Sequence, residues 1–342
     1  MRAVRVHQYQ QSPSIDQVPE PVVRGPLDVL VEVKAAGVCR TDLHIIEGQW
    51  AKLSGVTLPY TIGHENAGTV REVGPAVSTV APGDTVILHP LVTCGLCHAC
   101  RAGDDSHCEN SAFPGIDTDG GMADLLLTNA RAVVRLDPGL EPADVAALAD
   151  AGLTAYHAVR KAVPLLPPGT HAVVIGAGGL GHIGLQSLTA LTAAEVTVVD
   201  RSPEALELAS RLGADHTVLS DGDQVAAVLD LTGGKGAHVV FDFVGENGTE
   251  AEGVAMTRDT GSYFVIGYGG RVDVPTIDII SREINIIGNL VGTYTDLVEL
   301  MTLAARGRVT LRTRTYPLDA ALDALADLDA GRIPGGRAIL VP

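Results

Sequence analysis

Three glycines at G-x-G-x-x-G spacing, Gly176, Gly178 and Gly181, carry the first chemical signal in this sequence. The run Val173-Val174-Ile175 before them reads as a buried strand. Ile183, Leu185, Leu188 and Leu191 after them read as the apolar side of a helix. A second strand, 196–199, ends on Asp200, 24 residues after Gly176. Strand, glycine turn, helix, strand and terminal acid is the order a dinucleotide site needs. The first glycine permits the tight turn, the second lets the backbone approach a pyrophosphate, and the third lets the helix pack on the strand. The turn, with Gly179 and Leu180 in it, leads into a helix N-terminus that offers unpaired N–H groups to phosphates. Asp200 suits the hydroxyls of a ribose and repels a 2′-phosphate, which favours NAD over NADP. Arg201 beside it softens that preference.

The second signal is Cys94-x2-Cys97-x2-Cys100-x7-Cys108. Four thiolates this close can surround one tetrahedral Zn²⁺ and leave no position open. A closed site cannot take substrate, so its work is to pin a lobe of chain. An iron–sulfur cluster draws on the same four thiolates; the nucleotide fold in the same chain favours zinc. His98 and His107 read as surface histidines. The fifth cysteine, Cys39, and the histidine His64 read separately as a buried thiol and a hydrogen-bonded core imidazole. Beside a nucleotide fold and a four-cysteine loop they become candidate metal ligands.

Positioning these groups takes two domains, and 342 residues with 46% hydrophobic content are enough to build them. Residues 1 to about 150 read as all-β, with short alternating segments at 29–33, 68–73 and 84–88 broken by Pro and Gly. From 150 to about 290 strands alternate with helices: 172–176, 182–193, 195–200, 203–212, 223–231, 237–243, 248–256 and 262–267. That rhythm predicts a parallel doubly wound sheet. A helix near 294–306, another at 318–330 and a last strand at 337–341 complete the chain. The net charge of −17 argues against nucleic acid or an anionic membrane as partner, since both require a basic face. No run of 18 apolar residues predicts a membrane span, and the opening Met1–Val6 reads as an amphipathic strand and not a signal peptide. A cytoplasmic protein is expected, in which metal is a better use of cysteine than disulfides.

The pieces G-V-C-R-T-D-L-H at 37–44, G-H-E-N-A-G at 63–68, the 94–108 cysteine loop, A-D-A-G-L-T at 149–154 and G-A-G-G-L-G at 176–181 resemble, in order, the zinc-dependent medium-chain alcohol dehydrogenase family. The resemblance covers essentially the whole chain. It implies an α/β protein in which a GroES-like β-rich catalytic domain, 1–151 and 292–342, surrounds a Rossmann domain, 152–291. It implies two zinc ions per subunit. The structural one lies in the cysteine loop. The catalytic one falls to Cys39, His64 and a third ligand that is cysteine in many members and Asp150 here. Glu65 matches an acid beside the metal that can bind it when water moves.

The activity implied is reversible hydride transfer between an alcohol and NAD, giving an aldehyde or ketone. Zinc lowers the pKa of the alcohol oxygen, as it does for bound water. Thr41 matches the hydroxyl that takes the proton and passes it through the cofactor ribose to His44. Arg40 and Arg337, the latter in Gly335-Gly336-Arg337, match pyrophosphate contacts, and Thr154 matches the residue beneath the nicotinamide. Val244, Ile266 and Tyr268 sit at strand ends that face a cofactor. Trp50 matches a substrate-pocket position, Phe113 and Pro90 are candidates to line the same pocket, and an aromatic wall suits apolar or aryl alcohols over polyols. Residues 284–290 match the edge strand by which family members pair, so a homodimer or homotetramer is expected. A non-catalytic nucleotide sensor could dispense with Cys39, His64, Thr41 and His44, and a zinc-free quinone reductase needs neither Cys39 nor the 94–108 loop.

Overall fold

The computed structural model describes residues 1–333 and 336–342; Gly335 lies outside them. The chain divides into two compact units, Met1–Leu153 with Gly292–Pro342, and Thr154–Val291. Among the described residues no helix is long and apolar enough to cross a membrane.

The first unit is built on a seven-stranded sheet whose centre is the long strand Asp28–Val38. Glu65–Val73 pairs antiparallel on one side of it, and Arg337–Val341, returning from the far end of the chain, pairs antiparallel on the other. The register sets Gly37 opposite Glu65 and Val38 opposite Ala338. Cys39, Glu65 and Arg337 therefore meet at one end of three adjacent strands, although almost 300 residues separate the first from the last. Val29, Val31, Val33, Ile62, Leu126 and Leu340 fill the core behind them.

This unit is not all-β, as the sequence reading had it. A helix, Arg40–Glu47, starts where the central strand stops. Its capping box has a physical cause: the Asp42 carboxylate accepts from Cys39 N–H at 2.9 Å, and Asp42 N–H donates to Cys39 O at 3.0 Å. Ile45 is then buried on the core side.

The second unit holds six strands, all parallel, in the order His216–Leu219, Glu195–Asp200, His171–Ile175, Ala237–Asp242, Thr257–Val265, Asn285–Gly288. Both faces are covered. Ala172 and Val174 belong to one apolar cluster and Val173 and Ile175 to the other, as period-two alternation requires. The strand order reverses between 171–175 and 237–242, which is where open α/β sheets bind ligands. The sequence reading leaves out the helix Ala151–Ala162 and two further elements. His216–Leu219 is a four-residue edge strand with little apolar alternation, and Thr276–Arg282 is a short helix with none of its residues buried.

At the amino ends of these strands, His238 faces donors at both ring nitrogens. His171 N–H points at Nδ1 (3.1 Å) and Arg258 Nη1 at Nε2 (2.6 Å). A second ring proton meets a donor head-on, and burial followed by the Arg258 cation holds this histidine below its usual pKa. The folded state thus binds fewer protons here than the unfolded chain. The contribution is complete above the ordinary histidine value and is lost as pH falls below it. Urea denaturation should show the stability gap between wild type and His238→Asn narrowing from pH 7.5 to pH 5.5. A gap that widens on acidification contradicts this account.

Candidate functional site

The end of the central sheet gathers four potential ligands. One atom each from Cys39, His64, Glu65 and Asp150 lies within 4.8 Å of the others. Cys39 caps the Arg40–Glu47 helix, His64 and Glu65 open the neighbouring strand, and Asp150 precedes the helix Ala151–Ala162. His64 is buried, its Nδ1 turned to Asp42 Oδ1 (3.4 Å) and its Nε2 to Asp150 Oδ2 (3.5 Å). Neither contact is a formed hydrogen bond, so both ring nitrogens, Asp42 Oδ1 and Asp150 Oδ1 are buried polar atoms without a partner. Such groups are costly unless something satisfies them.

The electrostatics point the same way. Burial raises the Asp150 carboxyl above its ordinary value, against the pull of His64. It raises Glu65 too, against Arg337. Burial disfavours a charged His64 ring, yet Asp42 and Cys39 outweigh it and hold the pKa well above normal. A thiol, an imidazole and a carboxylate, crowded with unsatisfied atoms, form a donor set for a divalent ion such as Zn²⁺.

Glu65 is held differently from the others. Its Oε1 accepts from Ala151 N–H at 3.0 Å, and its Oε2 is paired with the buried Arg337 guanidinium. This carboxylate thus ties the residue after Asp150 to the returning strand. The space it occupies depends on Gly37, where an added Cβ lies 2.0 Å from Glu65 Oε2. Among the described residues, Arg337 Nε meets no partner.

Asp42 is the residue that the sequence reading passed over. It fixes the Cys39 N–H with one oxygen and faces His64 Nδ1 with the other. That is the carboxylate–histidine–metal arrangement that orients a ligating imidazole. Its signal was present: an acid three residues after a helix-capping position. Thr41 and His44 stand three apart on the same helix, and so on one face of it. His44 Nδ1 lies 3.2 Å from Glu47. Arg40, the first helical residue, is exposed.

Phe113 stands edge-on to His64, with ring centres 6.1 Å apart at 89°. Its backbone N–H is fixed by Asp117 Oδ1 at 2.6 Å. Pro90 is buried, and Trp50 packs at the margin of the first unit's core.

The second cluster is the cysteine lobe, with one sulfur each from Cys94, Cys97, Cys100 and Cys108 within 4.8 Å. Backbone N–H groups point at these sulfurs: Leu96 and Cys97 at Cys94 Sγ (both 3.4 Å), Cys94 at Cys108 Sγ (3.2 Å). The Leu96 and Cys97 amides draw the Cys94 thiol down to about 6, while burial pushes Cys100 up to about 12. Gly95, at φ +71°, makes the turn between the first two cysteines possible. His107 is exposed and bonds to Asp104 (2.9 Å).

In the second unit the three motif glycines have distinct surroundings. Gly176 takes φ +86°, Gly178 has open space where a Cβ would be, and at Gly181 a Cβ would lie 1.7 Å from Gly176 O. Asp200 is engaged: Oδ2 accepts from Ala177 N–H at 2.6 Å and Oδ1 from Ser202 N–H at 2.8 Å. It therefore braces the glycine turn it was expected only to border. Arg201 and Tyr268 are exposed, Val244 and Thr154 are partly buried, and Ile266 is buried.

Comparisons with known proteins agree with this geometry. The sequence profile described as Alcohol dehydrogenase GroES-like domain matches residues 25–138, and the one described as Zinc-binding dehydrogenase matches 179–306. An NAD-dependent alcohol dehydrogenase of Sulfurisphaera tokodaii is 35% identical over the full length of both chains. A D-arabinose 1-dehydrogenase (NADP(+)) of Saccharolobus solfataricus is 34% identical, covering 100% of this chain and 97% of the relative. The crystal structure of the alcohol dehydrogenase of Aeropyrum pernix superposes with a TM-score of 0.97 at 45% identity, covering 100% of each chain.

The two clusters predict separable metals. Purified protein should carry two zinc ions per chain, and Asp150→Ala should retain one, held by the cysteines. An Asp150→Ala protein that keeps both ions and full turnover shows that Asp150 is not a ligand.

Proposed function

The chain belongs to the zinc-dependent medium-chain alcohol dehydrogenase family, and from that premise we propose that it is an NAD-dependent oxidoreductase moving a hydride reversibly between a primary or secondary alcohol and NAD, with an aldehyde or ketone as the carbonyl partner. One observation carries this reading: a thiol, an imidazole and a carboxylate with unsatisfied buried atoms within 4.8 Å, in a chain that also holds a glycine-turn dinucleotide fold. Cys39, His64 and Asp150 hold the catalytic zinc in this proposal, and Cys94, Cys97, Cys100 and Cys108 the structural one. Zinc held there would make an alcohol hydroxyl more acidic, as it brings bound water to ~7, and NAD would take the hydride.

The chain's own residues do the rest. Asp42 keeps the His64 ring oriented, with Nε2 towards Asp150. Asp150 offers an oxygen where many relatives offer sulfur, a harder ligand that donates less charge and would leave the metal a stronger Lewis acid. Glu65 stabilises the site by fixing Ala151, and must release both Arg337 and the Ala151 N–H before it can turn to the metal. Thr41 takes the alcohol proton and His44, on the same helix face, carries it outward. Arg40 meets the pyrophosphate, and Arg337, buried and paired with Glu65, reaches it only with a guanidinium nitrogen that Glu65 does not hold. Gly176, Gly178, Gly179, Leu180 and Gly181 cradle the pyrophosphate, and Thr154, Val244, Ile266 and Tyr268 contact the cofactor. Asp200 binds the adenosine ribose, with Arg201 beside it.

Phe113, Trp50 and Pro90 form the substrate wall in this reading, which favours apolar or aryl alcohols. The edge strand Asn285–Gly288, with exposed Ile277, Ile280, Ile286 and Leu290 around it, is the surface by which two copies pair. A sugar or polyol substrate is the second reading, favoured by the similarity to a D-arabinose 1-dehydrogenase.

An NADH-absorbance assay over 1-phenylethanol, hexanol, sorbitol and arabinose should give the highest kcat/KM on 1-phenylethanol or hexanol; turnover confined to sorbitol or arabinose removes the aromatic-wall argument. Asp200→Ala should narrow the preference for NAD over NADP by tenfold or more, since a repulsion and at least one charged hydrogen bond disappear together, each about 1.5 kcal/mol or larger. It should also raise KM for NAD, because the Ala177 and Ser202 amides lose their acceptor. An unchanged cofactor ratio shows that Asp200 does not read the ribose.

A further inference from the structure

At the switch point of the parallel sheet, the strand Ala237–Asp242 ends in a buried acid that the mechanism does not use. Asp242 is 0% exposed, and so is Tyr263 on the neighbouring strand. Asp242 pairs in register with Val265, which puts Tyr263, two residues earlier, on the same face and within diagonal reach. The Tyr263 hydroxyl donates to Asp242 Oδ2 at 2.7 Å. Oδ1 accepts from Val244 N–H at 2.8 Å and Gly245 N–H at 2.9 Å. Burial, then the charge of Asp242, pushes the phenol well above its usual pKa, so it stays a donor.

The turn these bonds hold is tightly enclosed. Gly245 takes φ +62°, and a Cβ there would lie 2.1 Å from Gly267 O. Val244 in turn covers the first motif glycine: a Cβ on Gly176 would lie 2.6 Å from Val244 Cγ2. Three donors on one carboxylate thus fix a side chain over the glycine turn. Phe241 and Phe264 on one face and Val240 and Met256 on the other make most of the surroundings apolar, and the buried Glu250 carboxylate adds to the negative charge around Tyr263. In such a core a matched apolar pair is commonly as stable as a buried ionised group or more so. A fully buried acid at this strand end calls for a positional reason.

We propose that Asp242 and Tyr263 are positioning residues for dinucleotide binding: the pair locks the Val244–Gly245 turn against Gly176 and so pre-forms the surface on which the cofactor lies. This rests on the reading of Val244 and the glycine turn as cofactor contacts. Tyr263 does not touch the cofactor; it acts through Asp242, and Asp242 through the turn. A turn already in its bound geometry spares the cofactor the cost of ordering it.

The test uses the full-length, zinc-loaded protein and NADH as the probe. Tyr263→Phe should weaken NADH, measured by fluorescence titration, by about fivefold, the effect of one lost hydrogen bond to a charged group. It should shrink the rise in Tm that NADH produces, speed amide exchange at 243–245, and leave two zinc ions per chain. Should Tyr263→Phe fail to fold, Asp242→Asn takes its place. An amide oxygen holds the two N–H groups less strongly than a carboxylate, so NADH should weaken by about threefold. An NADH Kd within a factor of 1.5 of wild type, with Tm lowered equally in the presence and absence of NADH, reduces the pair to a structural role and overturns the proposal. Wild-type protein that does not bind NADH overturns the reading beneath it, and that outcome is seen before any variant is compared.

Discussion

Crowded negative charge in a buried place governs this structure. Cys39, Asp42, Glu65 and Asp150 converge on the end of one sheet, and His64 and Arg337 are the basic groups that face them. Carboxylates out of water either protonate or find a cation. Arg337 satisfies Glu65, which leaves His64, Asp150 and Asp42 with unpaired atoms. A divalent ion held by Cys39, His64 and Asp150, as proposed, would resolve the imbalance, and the same ion would make an alcohol acidic. The stability of the site and its chemistry would then be one requirement met twice.

Each unit prepares its chemistry with backbone groups as much as with side chains. The cysteine lobe aims amide N–H groups at its sulfurs. The nucleotide turn is braced by Asp200 through the Ala177 amide and flanked by Val244, itself set by Asp242. The helix Arg40–Glu47 begins with an acid that serves as cap and as partner to the ligand histidine. Residues that look like secondary-structure punctuation are, in these places, the means by which reacting groups keep their geometry.

Legibility in the sequence followed the range of the interaction. The glycine turn and the four-cysteine loop were readable because their parts lie within a few residues of each other and their chemistry dictates the spacing. The strands of the parallel sheet were readable because both faces are apolar, whereas His216–Leu219 is only four residues long and Thr276–Arg282 is a short helix whose isoleucines bury no face. Asp42 carried a local capping signal, but its turn towards His64 depends on a strand that comes some twenty residues later. The pairing of Arg337 with Glu65 had no local signal at all. It follows from the antiparallel register of three strands, one of which returns from the far end of the chain.

The sequence by itself therefore determined the kinds of chemistry available: a pyrophosphate turn with its acid, a closed four-thiolate site, and a thiol and an imidazole whose surrounding motifs match a zinc dehydrogenase. Those are short-range facts, set by residue type and spacing. Only the tertiary structure decided that Asp42 joins Glu65 and Asp150 at the cluster, that Glu65 is the one held by Arg337, and that Asp242 and Tyr263 together hold the Val244–Gly245 turn. A carboxylate's role depends on what it meets when water is excluded, and that is settled by sheet register and packing between segments distant in the chain.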